Sequence, residues 1–267
     1  MPKQIHGLGW KPDLPDHRDF SYAAPVHVMA ALPAKTDLRP KCPGVYDQGE
    51  IGSCTANAIA AAIEFDQRKQ QRSREFTPSR LFIYYNERVM EHTVQLDNGA
   101  QIRDGIKSVA KLGVCPEKMW PYKDDHPDQE GQPCPTCTFA TKPAPGCYQE
   151  AKKNTVASYS RIPRNLNSMK ACLASGFPFV LGFTCYDNLP FQSKNGVIPM
   201  PGPKNQVIGG HAVLAVGYDD RKQMFTIRNS WGRKWGVKGY GFMPYNYLLQ
   251  SDLSDDFWTI RFVNTGS

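Results

Sequence analysis

No stretch of this sequence approaches 18 consecutive apolar residues, and Met1–Phe20 carry no apolar h-region. The first absence excludes a membrane-spanning helix and the second a visible secretory signal, so the chain is expected to be cytoplasmic or exported by another route. Nothing resembles a phosphate-cradling glycine loop, which leaves nucleotide use without a motif. There is no internal repeat, and 22 Gly with 22 Pro exclude a helical bundle or coiled coil. Neither sign of charge dominates: 32 Lys plus Arg against 25 Asp plus Glu leave a net +7. The densest basic stretch, Arg68, Lys69, Arg72 and Arg74, is interleaved with Gln and reads as the solvated end of a helix, so no specific nucleic-acid partner is expected.

Cysteine is also sparse. Eight cysteines in 267 residues are too few for a disulfide framework. Cys134-Pro-Thr-Cys137 with Cys147 admits three readings: a zinc site short of a fourth ligand unless His126 joins it, a local disulfide, or free loop thiols. No metal or other cofactor is expected. Cys42, Cys115, Cys172 and Cys185 read as packing residues.

What is present suits one large domain or two lobes sharing a cleft. Residues 1–31, with three His, four Pro and a stretch of mixed charge, read as an extension outside a folded body at 32–267. Ala56, Ile59, Ala60 and Ile63 recur at i, i+3, i+4 and i+7, the buried stripe of a helix that starts at Ser53 and Cys54. A second helix is expected to open at Thr77 and Pro78, and a third to run from Ile102 to a C-terminal Gly113. A long connection lies between Trp120 and Tyr148. Beyond it come a helix at Leu166–Ser175 and strands at Phe179–Cys185, Ala212–Tyr218, Met224–Asn229, Tyr240–Tyr245 and Phe257–Val263. Helices first and strands later predict an α+β fold with a mainly helical lobe at about 45–125 and a mainly β lobe at about 150–267.

Cys54 sits where a Gly-Ser turn enters a long helix, so its sulfur faces the positive end of the macrodipole, a position that lowers a thiol pKa. A thiolate needs a proton carrier for its leaving group, and histidine is the natural one. His6, His17, His27, His92 and His126 lie in the extension or in polar segments. His211, in contrast, follows Gly209 and Gly210 at the mouth of an apolar strand. Alone, such a Cys or His is more often a packing residue. With Gln48 before Cys54, and Asn229-Ser-Trp-Gly after His211, the arrangement resembles the papain family of cysteine peptidases. Trp235-Gly236, Gly239-Tyr240-Gly241, His211-Ala-Val-Leu-Ala-Val-Gly-Tyr218 and Leu112-Gly-Val to Trp120-Pro-Tyr122 are similar to family segments in order and spacing, from about Leu32 to the C-terminus.

The opening Gly9-Trp10 to Asp19 segment and Asp97–Asp104 look most like the bacterial branch, xylellain-like enzymes in particular. The sequence departs from the family pattern in that Ile51 and Asp97 stand where a disulfide pair is usual, Thr55 where an aromatic is, and Ala100 where a second glycine is.

The resemblance implies a papain-like two-lobe fold, a helical lobe and an antiparallel β-barrel-like lobe with the cleft between them. It implies a monomeric endopeptidase acting on peptide or protein substrates. Cys54 would be the nucleophile, His211 the acid and base, Asn229 the residue orienting the imidazole, Trp231 its shield, and Gln48 with the Cys54 N–H the oxyanion donors. Gly99 and Ala100 would hold substrate backbone as an added strand. Ile102, Gly182, Gly210 and Ala212 would line an apolar pocket without an acid, favouring a bulky hydrophobic residue at the second position before the cut. The extension is too short for the family's large helical pro-region and is expected to lie across or beside the cleft as a regulatory strap. The competing functions are an acyl transferase, ligase or amidase on a Cys-His fold, and a catalytically silent binding module.

Overall fold

The computed structural model describes residues 7–70, 75–126 and 132–265; His6, Arg72 and Arg74 lie outside them. The extension contributes strand β1 (Trp10–Lys11) and the short helix α1 (Val26–Ala30), followed by strand β2 (Lys35–Asp37). Helix α2 (Cys54–Lys69) starts at Cys54, and every residue from Cys54 to Gln67 is buried. That burial exceeds a single stripe because α2 packs between the helices on one side and the long strand of the sheet on the other.

Helix α3 (Arg80–Met90) begins later than Thr77-Pro78 implies. Ser79 is its N-cap, with Oγ accepting from the Phe82 N–H at 3.2 Å. Pro78 instead faces Pro116 in an isolated bridge. Strand β3 (Ala100–Gln101) leads into α4 (Ile102–Leu112), which ends at Gly113 with φ 76°, the left-handed conformation a C-terminal glycine supplies.

The long connection closes with helix α5 (Pro145–Ala151), whose proline occupies the first turn. The remainder is strand β4 (Asn154–Arg161), helix α6 (Leu166–Ala174), strands β5 (Phe179–Tyr186), β6 (Val207–Asp219), β7 (Met224–Arg228) and β8 (Tyr240–Pro244), helix α7 (Tyr245–Leu249) and strand β9 (Ser254–Thr265). These strands form one sheet in the order β4-β9-β5-β6-β7-β8, with β2 pairing on β6. All its pairings are antiparallel.

Strand β6 is central, hydrogen-bonded to β2, β5 and β7, and its register sets Ala212 opposite Gly182, His211 opposite Phe183 and Gly210 opposite Thr184. Under it Phe179 meets Phe225 and Phe257 edge-on at 6.1 and 6.3 Å, aromatic packing that fixes the sheet beside α2.

Candidate active site

Cys54 is the first residue of α2 and fully buried. The turn before it is held by Ser53, whose Oγ shares a 2.7 Å hydrogen bond with Tyr122 Oη and accepts from Asn57 Nδ2 at 3.0 Å. The sequence leads one to expect a depressed thiol pKa here. In this covered state burial dominates and pushes the Cys54 thiol up to about 12, against the N–H groups of Ala212, Gly9 and Thr55 that face it. Thr55, in place of the aromatic, donates its hydroxyl to Glu87 Oε1 at 2.7 Å. Burial keeps that carboxyl well above the usual range.

Ala212 presents its N–H to the thiol, and His211 is its neighbour on β6. The His211 Nε2–H donates to Asn229 Oδ1 at 2.8 Å, and the Ser230 N–H donates to the same oxygen at 2.8 Å. Trp231 stacks on the imidazole with ring centroids 4.6 Å apart and planes at 29°. Phe191, Trp235 and Phe183 pack around these two rings. The imidazole–carboxamide hydrogen bond is thus enclosed by aromatics, where it is stronger than in water.

Gln48 is buried and fixed at both ends of its amide. Ser230 Oγ donates to Oε1 at 2.5 Å, while Nε2 donates to Ile51 O at 2.9 Å and to Gly7 O at 3.0 Å. The second acceptor belongs to the extension. The structure therefore gathers Gln48, Cys54, His211 and Asn229 with Ser230 and Trp231 around one place, and that place is occupied by the chain's own N-terminal segment.

The occupant runs Gly7-Leu-Gly-Trp-Lys11. Trp10 and Lys11 pair in parallel with Ala100 and Gln101, and the Ala100 N–H donates to Gly9 O at 2.8 Å. Neither glycine where the two segments cross has room for a side chain: a Cβ on Gly9 would stand 1.8 Å from Gly52 O, and one on Gly99 1.9 Å from Gly9 O. The Trp10 indole lies over Gly182, where a Cβ would be 2.0 Å from the ring, and its backbone carbonyl lies over Gly210. Ile102 and Ala212 are buried in the same core.

An acid also stands beside these residues, which were expected to line a pocket without one: Trp10 Nε1–H donates to Asp256 Oδ2 at 3.0 Å. The Asp13 N–H reaches the same oxygen at 2.8 Å, and Arg161 pairs with Asp256 Oδ1 at 3.0 Å. Asp13 in turn accepts from the Arg103 N–H at 3.0 Å and from Trp258 Nε1 at 2.8 Å, and Arg103 pairs with Asp19 at 2.6 Å. Asp256 carries no motif in the sequence because it sits on the last strand, far along the chain from Ile102, Gly182 and Gly210. Its position beside Asp255 at the start of an apolar strand was the only signal available.

Ile51 and Asp97 still lie at one junction. Ile51 is buried, and Asp97 accepts the Gly52 N–H at 3.0 and 3.1 Å and the Tyr84 hydroxyl at 2.5 Å. In the long connection Cys134 and Cys137 form a disulfide, the local bridge among the three readings, and Cys147 is a buried free thiol. No cluster of His, Cys, Asp and Glu suited to a metal ion occurs among the described residues. Cys42, Cys115, Cys172 and Cys185 are buried free thiols.

The profile described as papain family cysteine protease matches residues 32–255. Xylellain, a cysteine protease from Xylella fastidiosa, superposes with a TM-score of 0.92 at 51% identity, covering 97% of each chain. An uncharacterized peptidase C1-like protein of Acanthamoeba polyphaga mimivirus is 43% identical over 96% of this chain and 87% of its own length. Chymopapain of Carica papaya is 30% identical over 84% of this chain and 57% of its own length.

Proposed function

The chain belongs to the papain family of cysteine proteases, and from that premise we propose that it hydrolyses peptide bonds through an acyl-enzyme on Cys54. The Cys54 thiolate adds to the substrate carbonyl carbon, and the His211 imidazolium gives its proton to the departing amine. Neutral His211 then takes a proton from the water that attacks the thioester, and the thiolate leaves as the acid forms. Asn229 Oδ1, on Nε2–H, holds the ring so that Nδ1 serves the thiol, and Trp231 keeps water from that bond. Gln48 Nε2 and the Cys54 N–H stabilise the developing oxyanion, a contribution of about 3 kcal/mol per donor. Every one of these groups comes from a single chain, which we take to act as a monomer.

The observation that carries this reading is the Gly7 carbonyl. Gln48 Nε2 already donates to a carbonyl oxygen, at 3.0 Å, in a segment whose Gly9 N–H faces the Cys54 thiol. A peptide laid across these groups is what a peptidase must bind.

The same segment supports two finer proposals. Substrate backbone adds at Gly99 and Ala100 as β1 does, and the side chain at the second position before the cut enters the space of the Trp10 indole among Ile102, Gly182, Gly210 and Ala212. A bulky, largely apolar side chain fits that volume. Residues 7–19 act as a strap that limits access until displaced or cut.

Stoichiometric labelling by an epoxysuccinyl inhibitor, lost on Cys54→Ser, tests the nucleophile. Labelling without cleavage of any peptide would favour acyl transfer. No labelling even after the strap is loosened would favour a silent binding module.

A further inference from the structure

Four consecutive backbone N–H groups ahead of Cys54 are each taken by a side-chain carboxylate. Gly49 donates to Asp47 Oδ1 at 3.2 Å, Glu50 and Ile51 to Asp124 Oδ1 at 2.9 and 3.3 Å, and Gly52 to Asp97 Oδ1 at 3.0 Å. None of the three acids makes a salt bridge with Lys or Arg among the described residues. Hydrogen bonds to an ionised acceptor are about twice as strong as neutral ones, so this turn is held far more firmly than a free loop.

One peptide unit matters most. The Ile51–Gly52 peptide gives its N–H to Asp97, and its other end, Ile51 O, accepts Gln48 Nε2–H at 2.9 Å. N–H and C=O of a trans peptide point in opposite directions in one rigid plane, so the carboxylate on one side fixes where the carbonyl points on the other. The Gln48 amide docks on that carbonyl. Its far end is held by Ser230, and Ser230 by Asn229, so the alignment continues to the histidine partner.

Asp97 is itself anchored. Tyr84 Oη donates to it at 2.5 Å and accepts the Gly99 N–H at 3.2 Å, tying the turn before Cys54 to the strand that the strap borrows. Asp97 and Ile51 are also the two positions where the family pattern has cysteines.

We propose that Asp97 is a positioning residue for the oxyanion site, acting through the Ile51–Gly52 peptide on Gln48, in place of the covalent bridge this chain lacks. The proposal rests on the reading of Gln48 as an oxyanion donor. Its consequence is kinetic: loss of Asp97 misaims a group used in the transition state while leaving substrate binding nearly intact, so kcat falls and KM holds.

The test is a double-mutant cycle in the full chain, with rates taken per titrated active site. Gln48→Ala is expected to lower kcat about a hundredfold, and Asp97→Ala about tenfold with KM within about twofold. In the Gln48→Ala background, Asp97→Ala should cost less than about twofold. Asp97→Asn, which keeps an oxygen acceptor, should recover most of the loss.

A full tenfold cost of Asp97→Ala in the Gln48→Ala background, or no cost in the parent, overturns the proposal. If Gln48→Ala alone leaves kcat unchanged, the oxyanion reading of Gln48 is what fails first, and the positioning role falls with it. Iodoacetamide alkylation of Cys54, which develops no oxyanion, should be unaffected by Asp97→Ala; a parallel loss there would mean the turn itself had collapsed, and the proposal is then overturned. The Ile51→Cys, Asp97→Cys variant provides the converse, with kcat restored when oxidised and lost on reduction.

Discussion

The indole of Trp10 donates its Nε1–H to Asp256 Oδ2 at 3.0 Å, from a position directly over Gly182. The strap is therefore fixed by a side chain lodged in the sheet as well as by the backbone pairing at Ala100. Asp13 and Asp256 interlock around it, each accepting a backbone N–H and an indole N–H, so the residues just after Trp10 are bound to both α4 and β9.

Removing that anchor should open the cleft. Replacing a buried Trp by Ala typically costs about 3 to 5 kcal/mol, enough to shift a closed-to-open equilibrium by more than tenfold. Trp10→Ala in the full chain is expected to raise kcat/KM for small fluorogenic peptides by about tenfold or more. Gly9→Ala provides an independent route, because its Cβ would stand 1.8 Å from Gly52 O without touching the indole. Unchanged turnover in both variants would show that the strap does not limit access.

Closure should also weaken as pH rises. Asp256 is pushed up to about 7, first by burial and then by the neighbouring Asp13 carboxylate, and Asp13 is raised by burial as well. Arg161, Arg103, Asp19, Asp255 and Arg164 are the other charges facing this pair. With the strap out, both carboxyls meet water and return toward an ordinary value near about 3.9. The closed state then binds more protons than the open one between those limits, so closure is most stable at the acid end and is lost as pH rises toward 7. The ratio of Cys54 alkylation rates, parent over Trp10→Ala, cancels the titration of the thiol itself. It should rise from pH 5 to pH 7.5, and the rise should shrink in Asp256→Asn, where the Asp13 carboxyl alone still titrates on opening.

The helices were legible because their signals are local. Ile59, Ala60 and Ile63 on α2 and Gly113 at the end of α4 carry period and punctuation in adjacent residues, and so did the motif around Asn229. Thr77-Pro78 misplaced the start of α3 because the capping preference of Thr and Ser is nearly equal, and only the fold decides that Ser79 Oγ meets Phe82 N–H. β1 and β3 were invisible, since two residues each give no alternation to read. The four residues gathered at Cys54 were nameable from motif spacing. Asp97 was legible only as a departure from the family's cysteine pair, and Asp124 and Asp256 not at all: each acts by accepting N–H groups from segments at least 45 positions away, which no local pattern records.

The Cys134–Cys137 disulfide should matter little to activity. A bridge closing so short a loop limits the unfolded chain only slightly, by about 2 kcal/mol on the loop-entropy estimate. For a chain of this length that corresponds to a fall in Tm of about 4 °C. Cys134→Ser with Cys137→Ser should show that shift by calorimetry with kcat/KM unchanged. A loss of activity would mean that the connection between Trp120 and Tyr148 reaches the site.

The pocket vacated by Trp10 should select an apolar body more than a charge. Asp256 at its end suggests a basic preference at first sight, but Arg161 already pairs with that carboxylate at 3.0 Å. A substrate cation entering there would meet a compensated charge and would have to shed its own hydration, a cost that a single carboxylate shared with another guanidinium does not offset. An aromatic ring instead buries its area against Ile102 and Ala212 and the flat glycine floor, at about 25 cal/mol per Å² of apolar surface. Trp adds an N–H for Asp256 Oδ2. With Trp10→Ala chain, peptides differing only at the second position before the cut should rank Trp, Phe and Leu well above Arg and Lys by kcat/KM. Asp256→Asn should narrow the gap between Trp and Phe while leaving Leu unchanged. A strict preference for Arg or Lys would sink this assignment of the pocket.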